Sequence, residues 1–329
     1  MKHVTIRDVA RLAGVGIATA SRALNNKEEV SPKTRKRVLD AAKKLGYIPN
    51  SLARGLISGR TKKVGIIITT ILNPFYATVV SGIENVLSSQ GYTLALYNSN
   101  EDPVKERESI LTLRAQRVDG LILAPVEYQS ESVKYLLENQ IPFVLVARNT
   151  IDKNTNYVIC DDFKIGRIAT EYLIKKGHKR ILFINSWKSS SALLRLEGHK
   201  RSLLDSGLKI NPKLIYSLSP NINLRDILDH VFSQRLKPTA IFCFCDSIAL
   251  EVIKILKDKK IKIPDDVAVM GCDNLDFTDL IDPPLTTVDI SKYEMGIKSA
   301  RILIEKLKEE KKEPIQMILE PKLIIRASA

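Results

Sequence analysis

From Val64 onward the chain repeats one unit. The short apolar runs VGIII, TLALY, GLILA, FVLVA, YVIC, RILFI, AIFCF and VAVMG alternate with stretches in which apolar residues recur at helical spacing. A run of four to six apolar residues bounded by turn signals reads as a strand buried on both faces. Strands that alternate with helices can cover both faces only as parallel sheets with helices on each side, which makes this region α/β. The units fall into two clusters, before and after about Cys160. A late helix from Lys292 to Glu310 and a strand from Gln316 to Leu319 are expected to cross back to the first cluster. At 329 residues and 44% hydrophobic content, the chain is long enough for more than one folding unit.

The residues before Val64 follow a different pattern. Thr5 opens a capping box, TIRD, in which the hydroxyl is expected to accept from a first-turn amide while Asp8 reaches back. Ile6, Val9, Ala10 and Ala13 then give a short helix that Gly14 stops. GVG makes the turn, and IATASRAL resumes helical spacing with Ala18, Ala20 and Ala23 small enough for a close crossing, which is helix-turn-helix spacing. Ser31 with Pro32 behind it opens a third helix that ends at Gly46. Val9, Ala20, Leu24, Val38 and Leu45 supply a minimal core. The predicted organisation is an all-α head at 1–48, a linker at 49–61 and an α/β core at 62–329.

The formal charge of +14 is concentrated in the head. Residues 1–63 carry fifteen Lys or Arg against four Asp or Glu, a net of +11, whereas the remaining 266 carry 36 against 33. A basic unit of this density is the footprint expected for a phosphate backbone, since each neutralised phosphate releases condensed counterions. A solvated basic face with no partner would give the same count.

Three segments decide between these readings: VTIRDVARLAGVGIATASRALNN, SPKTRKRVLDAAKKLGYIPN and SLARGLIS. Together they resemble, almost continuously over sixty residues, the head of the LacI/GalR family of transcription regulators. The resemblance implies that the second helix enters the major groove of double-stranded DNA. Ile17, Ala18 and Arg22 would face base edges there, with Arg22 suited to a bidentate contact with guanine, and Thr5, Thr19, Ser21, Asn25 and Arg35 would position the head on the backbone. Gly16 stands where the family usually has a serine, which weakens the cap of that helix by only a few tenths of a kcal/mol. The segment IPNSLARGLIS resembles the family hinge, with Asn50, Ala53 and Leu56 as DNA contacts and Leu56 as an apolar wedge in a minor-groove base step. Leu52 and Leu56, four apart, would equally suit a short helix packed on the core; the position after a helix-turn-helix and before a strand favours the wedge.

The resemblance continues more loosely through NPFYATVVSGIE, VDGLIL, EYLIKKGHKRILFI, LRLEGHKRSL, CDSIAL, GCDN and DPPLTTV. It implies a periplasmic-binding-protein-like core of two subdomains, about 62–160 with 291–318 and about 161–290 with 319–329. An effector would lie between them at the carboxyl ends of the strands. By position the lining would include Asn73, Phe75, Arg148, Cys160, Trp187, Arg195, Cys245, Asp246 and Asp273. A guanidinium and a carboxylate can together hold vicinal hydroxyls, so Arg195 and Asp273 are the expected anchors of a sugar or sugar derivative. Taken singly, Arg195 would also suit a helix surface, Asp273 a loop cap, Arg148 a surface pair with Asp152, and Trp187 ordinary packing. Cys160 stands where the family often has an aromatic ring and Cys245 where it often has a small polar residue, which points away from the most familiar sugars.

Other classes lack their signatures. The N-terminus has no uninterrupted apolar core of a leader and no apolar run reaches the length of a membrane helix, so no membrane association and a cytoplasmic location are expected. Cys160, Cys243, Cys245 and Cys272 show no paired spacing and read as reduced thiols. GxSxG, HExxH and Walker A motifs are absent, and His3, His178, His199 and His230 are scattered, so no enzyme, metal or cofactor is expected. A transporter's solute-binding protein would share the core but has no use for the basic head. The reading is a homodimeric repressor of a palindromic operator, ending at Ala329 without a heptad tail for a tetramer. A global catabolite regulator controlled by a protein partner stays open beside it.

Overall fold

The computed structural model describes residues 4–25, 29–48, 60–219, 222–308 and 313–329. Asn50, Ala53 and Leu56, expected to touch DNA, lie outside the described residues. The chain divides into two compact units, with the boundary between Thr61 and Lys62.

The first unit is three helices: α1 (Ile6–Ala13), α2 (Ile17–Leu24) and α3 (Pro32–Leu45). The box at the start of α1 closes as the sequence implies, with the Thr5 side chain facing the Asp8 amide and the Asp8 side chain reaching back to the Thr5 amide. The Thr5 amide donates to Asp8 Oδ2 at 2.9 Å, and the Thr5 hydroxyl lies 2.7 Å from the same oxygen. Gly14 and Gly46 end α1 and α3 with φ near +60°, a conformation that only glycine adopts without strain. Ser31 caps α3 by accepting from the Thr34 amide. Val9, Ala10, Ala13, Ala20, Ala23, Val30, Val38, Ala41 and Ala42 form the core, with Leu24 and Leu45 partly buried at its edge. Small residues dominate because three short helices leave little space between them.

The second unit runs β1 (Lys63–Ile68), α4 (Pro74–Ser89), β2 (Thr93–Asn98), α5 (Pro103–Ala115), β3 (Gly120–Leu123), α6 (Glu131–Glu138), β4 (Phe143–Val146) and β5 (Tyr157–Cys160). It continues with α7 (Asp162–Lys175), β6 (Ile181–Asn185), α8 (Ser190–Asp205), a 3-10 turn (Pro212–Leu214), β7 (Ile215–Ser217), α9 (Leu224–Ser233), β8 (Ala240–Cys243), α10 (Asp246–Asp258) and β9 (Ala268–Met270). It closes with β10 (Thr287–Asp289), α11 (Lys292–Leu307), β11 (Gln316–Leu319) and β12 (Lys322–Ile324). One sheet has the order β11-β5-β4-β3-β1-β2 and a second has β7-β6-β8-β9, all pairs parallel; β10 and β12 form a short antiparallel pair. The chain therefore passes between the two sheet systems three times: after β5, before α11 and between β11 and β12.

Alternation along each strand fills both faces. Val64, Ile66 and Ile68 pack with Val79 and Ile83 of α4 and Met295 of α11, while Ile67 faces Ile110 and Leu113 of α5 and Leu136 of α6. Phe183 and Phe242 of the second sheet stack at 4.8 Å on the side of α7 and α8; Leu182 and Ile241 face α9 and α10. The α7–α8 crossing rests on two glycines. A Cβ on Gly198 would lie 2.1 Å from the Phe163 carbonyl oxygen, and one on Gly166 would lie 2.2 Å from that of Arg195. This close approach sets where α8 presents Arg195.

Candidate functional site

All strands of the six-stranded sheet point the same way, as do those of the four-stranded sheet, so the loops after their carboxyl ends gather on one side. The loops after β1, β2, β4 and β5 meet those after β6, β8 and β9 around a cavity of about 260 Å³. Of the residues expected there, Asn73, Phe75, Arg148, Cys160, Arg195, Cys245 and Asp273 line it.

Two guanidiniums face this cavity, and each already has its own carboxylate. Arg148 donates from both terminal nitrogens to the two oxygens of Glu101, at 2.9 and 2.8 Å, and reaches the Pro125 carbonyl oxygen at 3.3 Å. It is buried and does not pair with Asp152 on the surface. Burial pushes the Glu101 carboxyl up, but the Arg148 charge and hydrogen bonds pull further and leave it below the usual range. Arg195, 5% exposed, donates from Nε to Asp162 Oδ1 at 2.7 Å and from Nη1 to the Phe244 carbonyl oxygen. Its guanidinium carbon sits 4.3 Å from the Phe244 ring centre. Fork geometry uses these donors inward and presents a largely neutralised wall.

Asp273 is the exception. It is 4% exposed, holds φ at +123°, and its Oδ2 has no hydrogen-bond partner among the described residues. The Lys292 ammonium is spent on the Asp273 and Asn274 carbonyl oxygens. Burial, and then the neighbouring Asp246, push the Asp273 carboxyl up from the ordinary carboxylate range, and Asn73 hydrogen-bonds its side chain. Since the Asn73 Oδ1 already accepts from the Phe75 amide at the start of α4, its amide nitrogen is what reaches across. A strained backbone that holds an unsatisfied carboxyl oxygen at a cavity wall is arranged for a hydrogen-bond partner from outside the chain.

Two expectations are corrected. Trp187 is not on the cavity wall: it is 47% exposed with the Lys188 ammonium 4.4 Å from its ring, and Ser186 lines the cavity instead. Asp246 is fully buried behind the wall. It accepts from the Thr287 hydroxyl at 2.6 Å and the Leu275 amide at 2.9 Å, which tie α10 to β10 and to the loop carrying Asp273. Sequence reasoning missed Glu101, Tyr76, Asp162 and Phe244. Each follows a strand end or opens a helix, and that position was the signal that would have found them. Cys160 and Cys245 are protonated thiols, pushed up to about 12 by burial and by nearby Asp162 and Asp273 respectively.

The first unit presents a separate face. On α2, Ala20 and Ala23 are buried, which turns Ile17, Ala18, Arg22 and Asn25 outward and leaves Thr19 and Ser21 half-buried. Residues 17, 18, 21, 22 and 25 share one side of a helix by spacing. Arg22 Nε lies 3.2 Å from Glu29, an exposed pair worth less than about 1 kcal/mol that a stronger acceptor can displace. Thr5 is exposed and Arg35 half-buried.

Both units match known profiles. Residues 5–50 match "Bacterial regulatory proteins, lacI family", and residues 61–327 match "Periplasmic binding proteins and sugar binding domain of LacI family". The chain belongs to the LacI family. Among LacI-family relatives, the HTH-type transcriptional repressor PurR of Histophilus somni (strain 2336) is 34% identical over 328 residues, which covers 98% of each chain. The solved complex of the transcriptional regulator CelR with cellobiose is 30% identical, covers 99% of this chain and 100% of its own, and superposes with a TM-score of 0.74. The lac repressor dimer bound to operator and the anti-inducer ONPF, at 24% identity and a TM-score of 0.87 over 99% of both chains, supports the fold. The chain is therefore a transcriptional regulator with a helix-turn-helix head and a periplasmic-binding-protein-like core. No helix among the described residues is long and apolar enough to cross a membrane.

Proposed function

We propose that the chain is a cytoplasmic, homodimeric repressor of a palindromic operator, controlled by a small uncharged metabolite of the sugar class. The observation that carries the effector class is the charge state of the cavity. Arg148 and Arg195 are matched by Glu101 and Asp162, while Asp273 Oδ2 is left without a hydrogen-bond partner among the described residues. A phosphate or carboxylate would find no unmatched guanidinium there, whereas a hydroxyl can pair with Asp273 as donor or acceptor and accept from Asn73. The cellobiose in the CelR complex supports a carbohydrate. A flat nitrogen heterocycle is the second reading, favoured by the Phe75 and Phe244 side chains on the same wall and by an N–H's fitness for Asp273.

In the proposed mechanism Ile17, Ala18 and Arg22 read base edges, Thr5, Thr19, Ser21, Asn25 and Arg35 hold phosphates, and Leu56 of each subunit wedges the operator centre, helped by Asn50 and Ala53. Effector seated against Asp273 and Asn73 sets the closure of the cleft, which in turn sets how two hinges meet. Four buried, unpaired thiols suit a reducing cytoplasm. Calorimetric titration with panels of neutral sugars and nucleobases tests the effector class. The proposal expects saturable binding of a neutral compound that Asp273→Asn weakens by about 1 to 3 kcal/mol. Binding of anions alone, or binding indifferent to Asp273→Asn, would refute it.

A further inference from the structure

A second cavity lies on the opposite side of the four-stranded sheet, where β6 and β7 begin. It measures about 250 Å³ and is lined by Lys179, Arg180, Lys209 and Asn211 at its polar edge, and by Leu203 and Leu214 among its apolar residues. His199 of α8 lies in its wall. The adjoining cavity, which shares Asn211 and Leu214, adds Lys213, His230 and Arg235. Neither cavity has a carboxylate in its lining among the described residues, in contrast to the cleft, where every guanidinium is matched.

The decisive group is His199. Its side chain is fully buried, its ring lies 5.0 Å from Phe183, and Nδ1 is held 2.8 Å from the Thr170 hydroxyl. Its Nε2 has no hydrogen-bond partner among the described residues. A buried ring nitrogen without a partner is costly, and here it borders a cavity rimmed by three cations that form no ion pair among the described residues. In the tautomer in which Nδ1 accepts from the Thr170 hydroxyl, the neutral ring carries its proton on Nε2 and can donate it into the cavity.

We propose that this cavity is a second small-molecule site, distinct from the cleft, that takes a compact oxyanion, the phosphate or carboxylate of a metabolite. Lys179, Arg180 and Lys209 would supply the charge, His199 Nε2 a directed donor from the wall, and Leu203 with Leu214 an apolar bed for the carbon skeleton. The proposal stands apart from the operator and cleft assignments and would survive their failure. Because α8 carries both His199 and Arg195, an anion held here acts on the helix that lines the cleft.

The test is a titration of the full chain, with histidine side chains labelled with nitrogen-15, by inorganic phosphate and by glycerol 3-phosphate at fixed ionic strength. The expected result is a saturable shift of the His199 resonances. The Lys179→Gln/Lys209→Gln double variant should weaken it at least about tenfold, as loss of charge-assisted hydrogen bonds implies. Asp273→Asn in the cleft should leave it unchanged. His199→Phe, which keeps a ring beside Phe183 should it fold, is expected to lose the phosphate-induced rise in Tm. A shift that grows linearly without saturation, persists in the double variant or disappears with Asp273→Asn would overturn the proposal.

Discussion

The arginine proposed to read the operator is already engaged. Arg22 leans on Glu29 in the free head, so docking exchanges one exposed pair for a base contact. Arg22→Ala is expected to lose about 1 to 3 kcal/mol of operator affinity and to relax preference at one base position. Arg35→Ala should weaken binding to all sequences alike and flatten the salt dependence. Quantitative binding to a series of single-base operator variants separates the two, and equal losses on operator and random DNA for Arg22→Ala would remove its assignment. His199 makes a second prediction at this scale. Burial, then the Lys200 charge, lower it to about 4 from an ordinary value of 6.5. The unfolded chain then takes up a proton on this ring below about pH 6.5 while the native state does not, so stability falls as pH drops from about 6.5 to about 4. Relative to the parent, His199→Phe should lose less stability over that window, by about 1 to 3 kcal/mol, in denaturant unfolding series. A difference that is flat with pH would contradict a neutral, buried His199.

At the scale of elements, Gly166 and Gly198 let α7 and α8 touch backbone to backbone. Gly198→Ala places a methyl against the Phe163 carbonyl oxygen and must part the helices, for an expected loss of about 1 to 3 kcal/mol in thermal unfolding and weaker binding in the cleft that Arg195 lines. Unchanged stability would mean that the crossing is looser than described. The same scale shows what a single sequence can carry. Strands such as VGIII and AIFCF and caps such as Ser31 were legible because period, branching and turn residues act locally. The gathering of Arg195, Asp273 and Phe75 at one cavity was legible because parallel strands leave loops at one end. Partners were not: Glu101 lies 47 residues from Arg148 and Asp162 lies 33 from Arg195, so these pairs exist only after the loops converge. Local pattern also cannot say which of Asp246 and Asp273 faces the cavity, since both follow strand ends, nor that Trp187 turns outward.

Over the whole molecule, the chain separates a basic, small-residue head from a nearly neutral core in which each guanidinium facing the cleft is matched by its own carboxylate. This division suits a protein whose affinity for DNA is electrostatic and whose affinity for its proposed effector rests on hydrogen bonds. If operator and effector are coupled, the coupling is reciprocal, and operator should change effector affinity by the factor by which effector changes operator affinity. Light scattering should find a dimer, the species that two-fold operator symmetry requires. The most direct test of the central claim is sequencing of genomic fragments retained by the purified protein, with and without a metabolite extract. The account predicts enrichment of an inverted repeat whose half-sites are related by two-fold symmetry; retention of fragments with no shared sequence under both conditions would contradict it.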